Sequence, residues 1–241
     1  MYSEVQRVQV EETLTLIEQE YYRQITEYNS LRTALNIHGS DEEMCIEQAF
    51  CIKALIVMLY SMYEGFIKYA SLQYVILINK LQLNTGVVKS CFAAASLNEM
   101  FYDVESGQKK CELFRHSLPE DAVLHRLFRR SVIVEHLREL WDIKVNINSK
   151  YINTESNLTY EILSRTLYSI GLEHNSMQQH IEEIEKLLRF RNPIAHGETI
   201  SDMSYLKHFG KIEKSIKMII GDFRNIIKDA IINEKFLKES A

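Results

Sequence analysis

Ala54-Leu55-Ile56-Val57-Met58-Leu59-Tyr60-Ser61-Met62-Tyr63 is apolar at every position but one, and Glu64-Gly65-Phe66 follows directly. A helix written this way is apolar nearly all round, the pattern of the central helix of a bundle. Upstream, Ser40-Asp41-Glu42-Glu43 has capping-box spacing, which starts a helix expected to run to about Leu83. The unbroken apolar run is about half of the roughly 20 residues a bilayer span requires. Glu64 is a carboxylate next to a buried stretch and must be ion-paired, hydrogen-bonded or exposed. Two readings follow: a solvated or locally paired side chain, or a group that orients an arginine of the 191 region.

Outward from this helix the chain keeps helical periodicity. Residues 4–36 carry Leu14, Ile17, Tyr21, Ile25, Tyr28, Leu31 and Leu35 at three- and four-residue steps, a narrow apolar stripe on a polar helix. His38-Gly39 ends it. Asn84-Thr85-Gly86 reads as a turn, and Val87 to about Val104 as another helix. Ser117-Leu118-Pro119-Glu120 has the spacing of a second capping box. The helix after it runs through Trp141 on Leu124, Leu127, Phe128, Val132, Leu137 and Leu140. Residues 143–158 are polar and Asn-rich and read as a loop, with an extended piece at Ile143-Lys144-Val145. Thr159 caps a helix ended by Gly171, and Asn175-Ser176 opens one with Ile181, Ile184, Leu187 and Leu188 inside. Ser201 caps the last helix, whose broad apolar face runs from Ile212 to Ile231. The expected architecture is an all-α bundle of long helices in one domain over 1–241, with residues 86–158 inserted between core helices.

Composition agrees. Two prolines and eight glycines in 241 residues leave few breakers for a turn-rich sheet. A net charge of −5 with mixed signs argues against a surface coated for nucleic acid, though not against a local basic patch. Between Lys109 and Lys150 the balance is +3, and Arg126, Arg129 and Arg130 form a compact cluster. It is either a solvated helix face or a contact to an RNA backbone. Cys45, Cys51, Cys91 and Cys111 show no zinc spacing, the pattern of reduced thiols in a cytoplasmic protein. No signal segment opens the chain, and neither a cofactor nor a membrane is expected.

Phosphate-loop, dinucleotide, zinc-protease and nucleophile-elbow motifs are all missing. His174 and His180 lack a third ligand and read as surface histidines, and His116, His125 and His136 belong to no constellation. What remains is Arg189-Phe190-Arg191-Asn192-Pro193-Ile194-Ala195-His196-Gly197. Pro193 should stop or bend the arriving helix. Asn192 and Pro193 suit the cap and first position of a fresh turn, which Gly197 would close in the left-handed region. On an unbroken helix, Asn192 and His196 share a face while Arg191 lies about 140° round from His196. Arg191, Asn192 and His196 combine a fixed cation, an amide and a group that titrates near neutrality. Such a set suits phosphodiester cleavage: arginine holds the phosphate and histidine moves a proton. The competing reading is a helix-end cluster in which Arg191 pairs with Glu64.

Arg191-Asn192-Pro193-Ile194-Ala195-His196-Gly197 resembles the Arg-x(4–6)-His motif of HEPN domains (higher eukaryotes and prokaryotes nucleotide-binding), in their ribonuclease-toxin branch. Leu59 to Phe66 is similar to the family's earlier core helix, which often carries a polar residue near the active site, here Glu64. Ser204 to Ile232 matches the helix expected after the motif. The resemblance covers roughly 41–83 and 157–235. It implies metal-independent RNA cleavage by a homodimer with a composite site, in a toxin or phage-defence effector that an antitoxin or defence partner would accompany. Arg191 and His196 are implied as catalytic and Asn192 as positioning. Some family toxins carry a modifiable Tyr two residues after the His. Glu198 stands there in this chain, which speaks against that regulation. The alternative is a non-catalytic helical module that binds a nucleotide or a partner protein.

Overall fold

The computed structural model describes residues 3–35, 46–197 and 204–238. The boxes and caps expected at Ser40 and Ser201, and the stop at His38-Gly39, lie outside the described residues. So does Cys45; Cys51, Cys91 and Cys111 are free thiols.

The first helix, α1 (Glu4–Ala34), opens on a capping box the sequence reading overlooked. Ser3 Oγ accepts from Gln6 N–H, and the Gln6 side chain accepts from Ser3 N–H. The second, α2 (Ile46–Lys80), is the expected central helix. Leu55, Ile56, Leu59, Tyr63, Phe66, Ile67, Ala70 and Tyr74 are all fully buried on it. By length and composition Gln48–Lys80 could cross a membrane, because averaged hydropathy runs further than the unbroken apolar stretch. Here its apolar positions pack against α1 and two later helices, as those of a core helix do.

Val87 to Val104 forms two short helices, α3 (Ser90–Ser96) and α4 (Asn98–Glu105), rather than one. Ser96 Oγ donates back to Phe92 O and accepts the Asn146 N–H, an alternative to the helical ladder that turns the chain at Leu97. The next helix, α5 (Ala122–Leu140), starts one turn later than expected, on Asp121, which accepts from Leu124 N–H. Leu127 and Leu137, expected inside, are exposed.

The extended piece near Lys144 is present as an antiparallel bridge to Asn84. Thr159 caps α6 (Tyr160–Ser169) by accepting from Ile162 N–H. Gly171 then turns the chain at φ +70°, pressed so close to Cys91 and Phe92 that a Cβ would meet them at 3.0–3.1 Å.

The helix carrying the polar motif is α7 (Ile181–Ala195), reached through a 3₁₀ turn at Gln178–His180. It runs through Pro193 without stopping. The proline sits in the last turn, where it removes one N–H, while His196 N–H still reaches Asn192 O and Gly197 N–H reaches Ile194 O. Gly197 closes the helix at φ +69°, as expected. The last helix is α8 (Ser204–Ile232). Ion pairs of Glu18 with Arg224 and Lys228, and of Arg32 with Glu213, align it antiparallel to α1. His180 is buried rather than on the surface, with Nε2 2.9 Å from Asp222 Oδ2. That pair joins the start of α7 to the second half of α8, so these two helices are antiparallel and α7 ends where α2 and α8 begin. The described residues are all-α, as expected.

Candidate active site

Tyr60 is where α2 supports the motif. Its ring is buried in the face toward α7, and its phenol oxygen accepts the Leu158 N–H at 2.8 Å. One turn on, Glu64 accepts from Thr154 Oγ1 at 2.7 Å. These two bonds clip the loop before α6 onto α2. Burial pushes the Tyr60 phenol up to about 12; the Leu158 N–H pulls it down and the neighbouring Glu64 carboxylate raises it further. Tyr63 packs edge-on against Tyr60, with ring centroids 6.3 Å apart, and its hydroxyl has no hydrogen-bond partner among the described residues.

Arg191 sits over this platform. Its guanidinium carbon is 4.0 Å from the Tyr60 ring centroid, a cation–π stack. Nη1 donates to Asn192 Oδ1 at 3.1 Å. Nε is buried and has no hydrogen-bond partner among the described residues. The guanidinium is therefore fixed in direction by a ring and an amide while a donor stays unused. Glu64 and Arg191 form no ion pair among the described residues; Tyr60 neighbours both. Of the two readings of Glu64, the locally paired one is what is seen, through Thr154.

His196 stands elsewhere. It is the exposed residue that caps α7. Since α7 is unbroken, five residues place it about 140° round and about 7.5 Å along the axis from Arg191. Within one chain, then, Arg191 lies on Tyr60 with Asn192 bonded to it, and helical geometry sets His196 about 140° round α7 from Arg191 and about 40° from Asn192.

The arginine cluster of α5 divides as well. Arg126 and Arg130 are exposed. Arg129 is buried, with Nε bonded to Val104 O and Nη1 to Gly107 O and Lys109 O. It anchors the loop after α4, so Arg129 is no backbone contact for RNA.

Sequence reasoning missed a groove of about 230 Å³ between α7 and α8, lined by Lys186, Arg189, His208 and Lys211 with a single acid, Glu183. Its cations come from two antiparallel helices, so no linear motif marks it. One signal was present: Arg189 precedes His196 by seven residues, which puts both on one side of α7. Among the described residues no three His, Cys, Asp or Glu side chains stand close enough to hold a metal ion.

For the RNA cleavage that the sequence resemblance implies, the Tyr60 platform makes a graded prediction. Tyr60→Phe keeps the ring under Arg191 and should leave kcat within about twofold. Tyr60→Leu removes a stack worth about 0.5–2 kcal/mol and should lower kcat/KM by roughly 2- to 30-fold. Equal losses in both variants would mean that the hydroxyl, not the ring, matters.

In comparisons with known proteins, the pattern of the family described as RiboL-PSP-HEPN matches residues 19–233, a span that holds Tyr60, Glu64, Arg191, Asn192 and His196. No curated protein and no solved structure matches the chain.

Proposed function

Because the chain belongs to the RiboL-PSP-HEPN family, we propose that it is a metal-independent endoribonuclease, acting as a toxin or phage-defence effector, whose site is completed by a second copy of itself. The observation that carries this reading is the preorganised Arg191, stacked at 4.0 Å on Tyr60 and bonded through Nη1 to Asn192. A guanidinium held this way meets a phosphate without first having to order itself.

The ribose 2′-oxygen attacks its own phosphate. The O2′–P bond forms and the P–O5′ bond breaks. His196 of one chain takes the 2′ proton, and His196 of the second gives a proton to the leaving 5′-oxygen, help worth about 10²–10⁴-fold. Arg191 of both chains holds the phosphate oxygens. Two chains are needed because Arg191 and His196 of one chain diverge. A face for the second copy lies beside the platform: Phe50, Ala54, Val57 and Ser61 are exposed on α2, about 60–120° round the helix from Tyr60. RNA reaches His196 along the Lys186–Arg189–His208–Lys211 groove, whose cations offset backbone charge.

In chelator, the purified protein is expected to cut RNA into fragments with 2′,3′-cyclic phosphate and 5′-hydroxyl ends, and to leave DNA of the same sequence intact. DNA cleavage at a comparable rate would reject 2′-OH attack. The divergence of Arg191 and His196 within a chain favours a second reading, a non-catalytic module binding a nucleotide or a partner protein. Intact RNA after incubation with the dimer would select it.

A further inference from the structure

α5 is built inside out. Its fully buried positions are His125, Arg129 and Leu140. Both nitrogens of the His125 ring are engaged, Nδ1 accepting the Cys111 N–H and Nε2 lying 3.0 Å from Leu118 O. Arg129 is satisfied by three carbonyls. On the outside, Val123 is 76% exposed, Leu127 64% and Val134 65%, and Leu137 and Trp141 are also exposed. With Arg130 these residues follow at steps of four, three, four, three and four. That is the a/d seam of a two-stranded coil, set about 160° from His125. Helices in a finished fold turn such a seam inward.

The charge along the seam identifies what it fits. Arg126, Arg130 and Arg138 lie within about 60° of its centre, whereas Glu135 and Glu139 lie about 120° and 160° away. A second copy of α5 would set three arginines against three with no acid between them, and like charges across a seam are repulsive. An RNA backbone would answer the arginines and leave Val123, Leu127, Val134 and Leu137 in water. We propose that α5 is the docking surface for an amphipathic helix of another protein, apolar at its own a/d positions and acidic on the flanks. The proposal stands apart from the ribonuclease reading, because it uses no residue of the α2–α7 site.

Trp141 closes the seam and is the only tryptophan in the chain, so its emission reports occupancy in the full-length protein. The probe is a synthetic peptide of about four heptads with Leu at a and d and Glu at e and g. A saturable blue shift is expected. Leu127→Asp with Val134→Asp, both at exposed positions, should weaken it at least about tenfold, as should Arg126→Ser with Arg130→Ser and Arg138→Ser. A matched peptide with Lys at e and g should not bind. Circular dichroism of each variant checks that α5 is still folded. Three results overturn the proposal: equal binding of the Lys peptide; no shift with the Glu peptide while an RNA oligonucleotide binds through Arg126 and Arg130; or a self-associated protein that Leu127→Asp makes monomeric.

Discussion

On the ribonuclease reading, His196→Ala is expected to lower RNA cleavage at least about 10²-fold and to leave the melting temperature where it was. The side chain is exposed at the end of α7, and its structural part, the backbone N–H bonded to Asn192 O, is untouched by the substitution. Arg191→Ala should reduce cleavage by roughly 10²–10³-fold, the range for losing one preorganised donor to developing charge. It also uncovers Tyr60, so its melting temperature should fall by a few degrees, in line with a stack of about 0.5–2 kcal/mol. Rates, near-ultraviolet dichroism and thermal melts on both variants check this. If either protein unfolds while its wild-type counterpart is stable, the motif is a structural helix end. If both keep cleaving, the catalyst lies elsewhere. Expression of the wild-type chain should be toxic to a bacterial host, and His196→Ala should relieve that toxicity.

Phe66→Ala is the second large effect, and it acts on stability. Phe66 is fully buried on α2, edge-on to Tyr21 of α1, with centroids 5.7 Å apart. Truncating a buried aromatic in a packed core removes about 3–5 kcal/mol, a large part of the roughly 5–15 kcal/mol that holds a domain together. The urea midpoint should drop with an unchanged slope. A loss below about 1 kcal/mol would mean that α1 and α2 do not share a tight core at this point.

How far the sequence led can be read residue by residue. Ala54 to Tyr63 marked the central helix because a helix apolar on every side must be enclosed by its neighbours. Thr159, Gly171 and Gly197 began or ended helices where their chemistry says they should. Pro193 misled because losing the N–H that would reach Arg189 O does not by itself end a helix: the turn beyond it is still held by His196 N–H to Asn192 O and Gly197 N–H to Ile194 O. His180 and Leu127 misled in opposite senses. Burial depends on which helix lies opposite, and neither Asp222 across from His180 nor the absence of any described helix across from Leu127 is encoded locally. Tyr60 was visible as a core aromatic, but its second role depends on α7 bringing Arg191 over it, a contact more than a hundred residues away in sequence. The α7–α8 groove was hidden for the same reason.

Specific activity measured across the dissociation of the proposed dimer tests the proposed shared site most directly. The single chain holds Arg191 on Tyr60 and His196 about 140° away on the same helix, so the account predicts that diluted monomer is inactive and that turnover per chain rises in step with the dimer fraction. A constant turnover per chain, with monomer cleaving as fast as dimer, would contradict it.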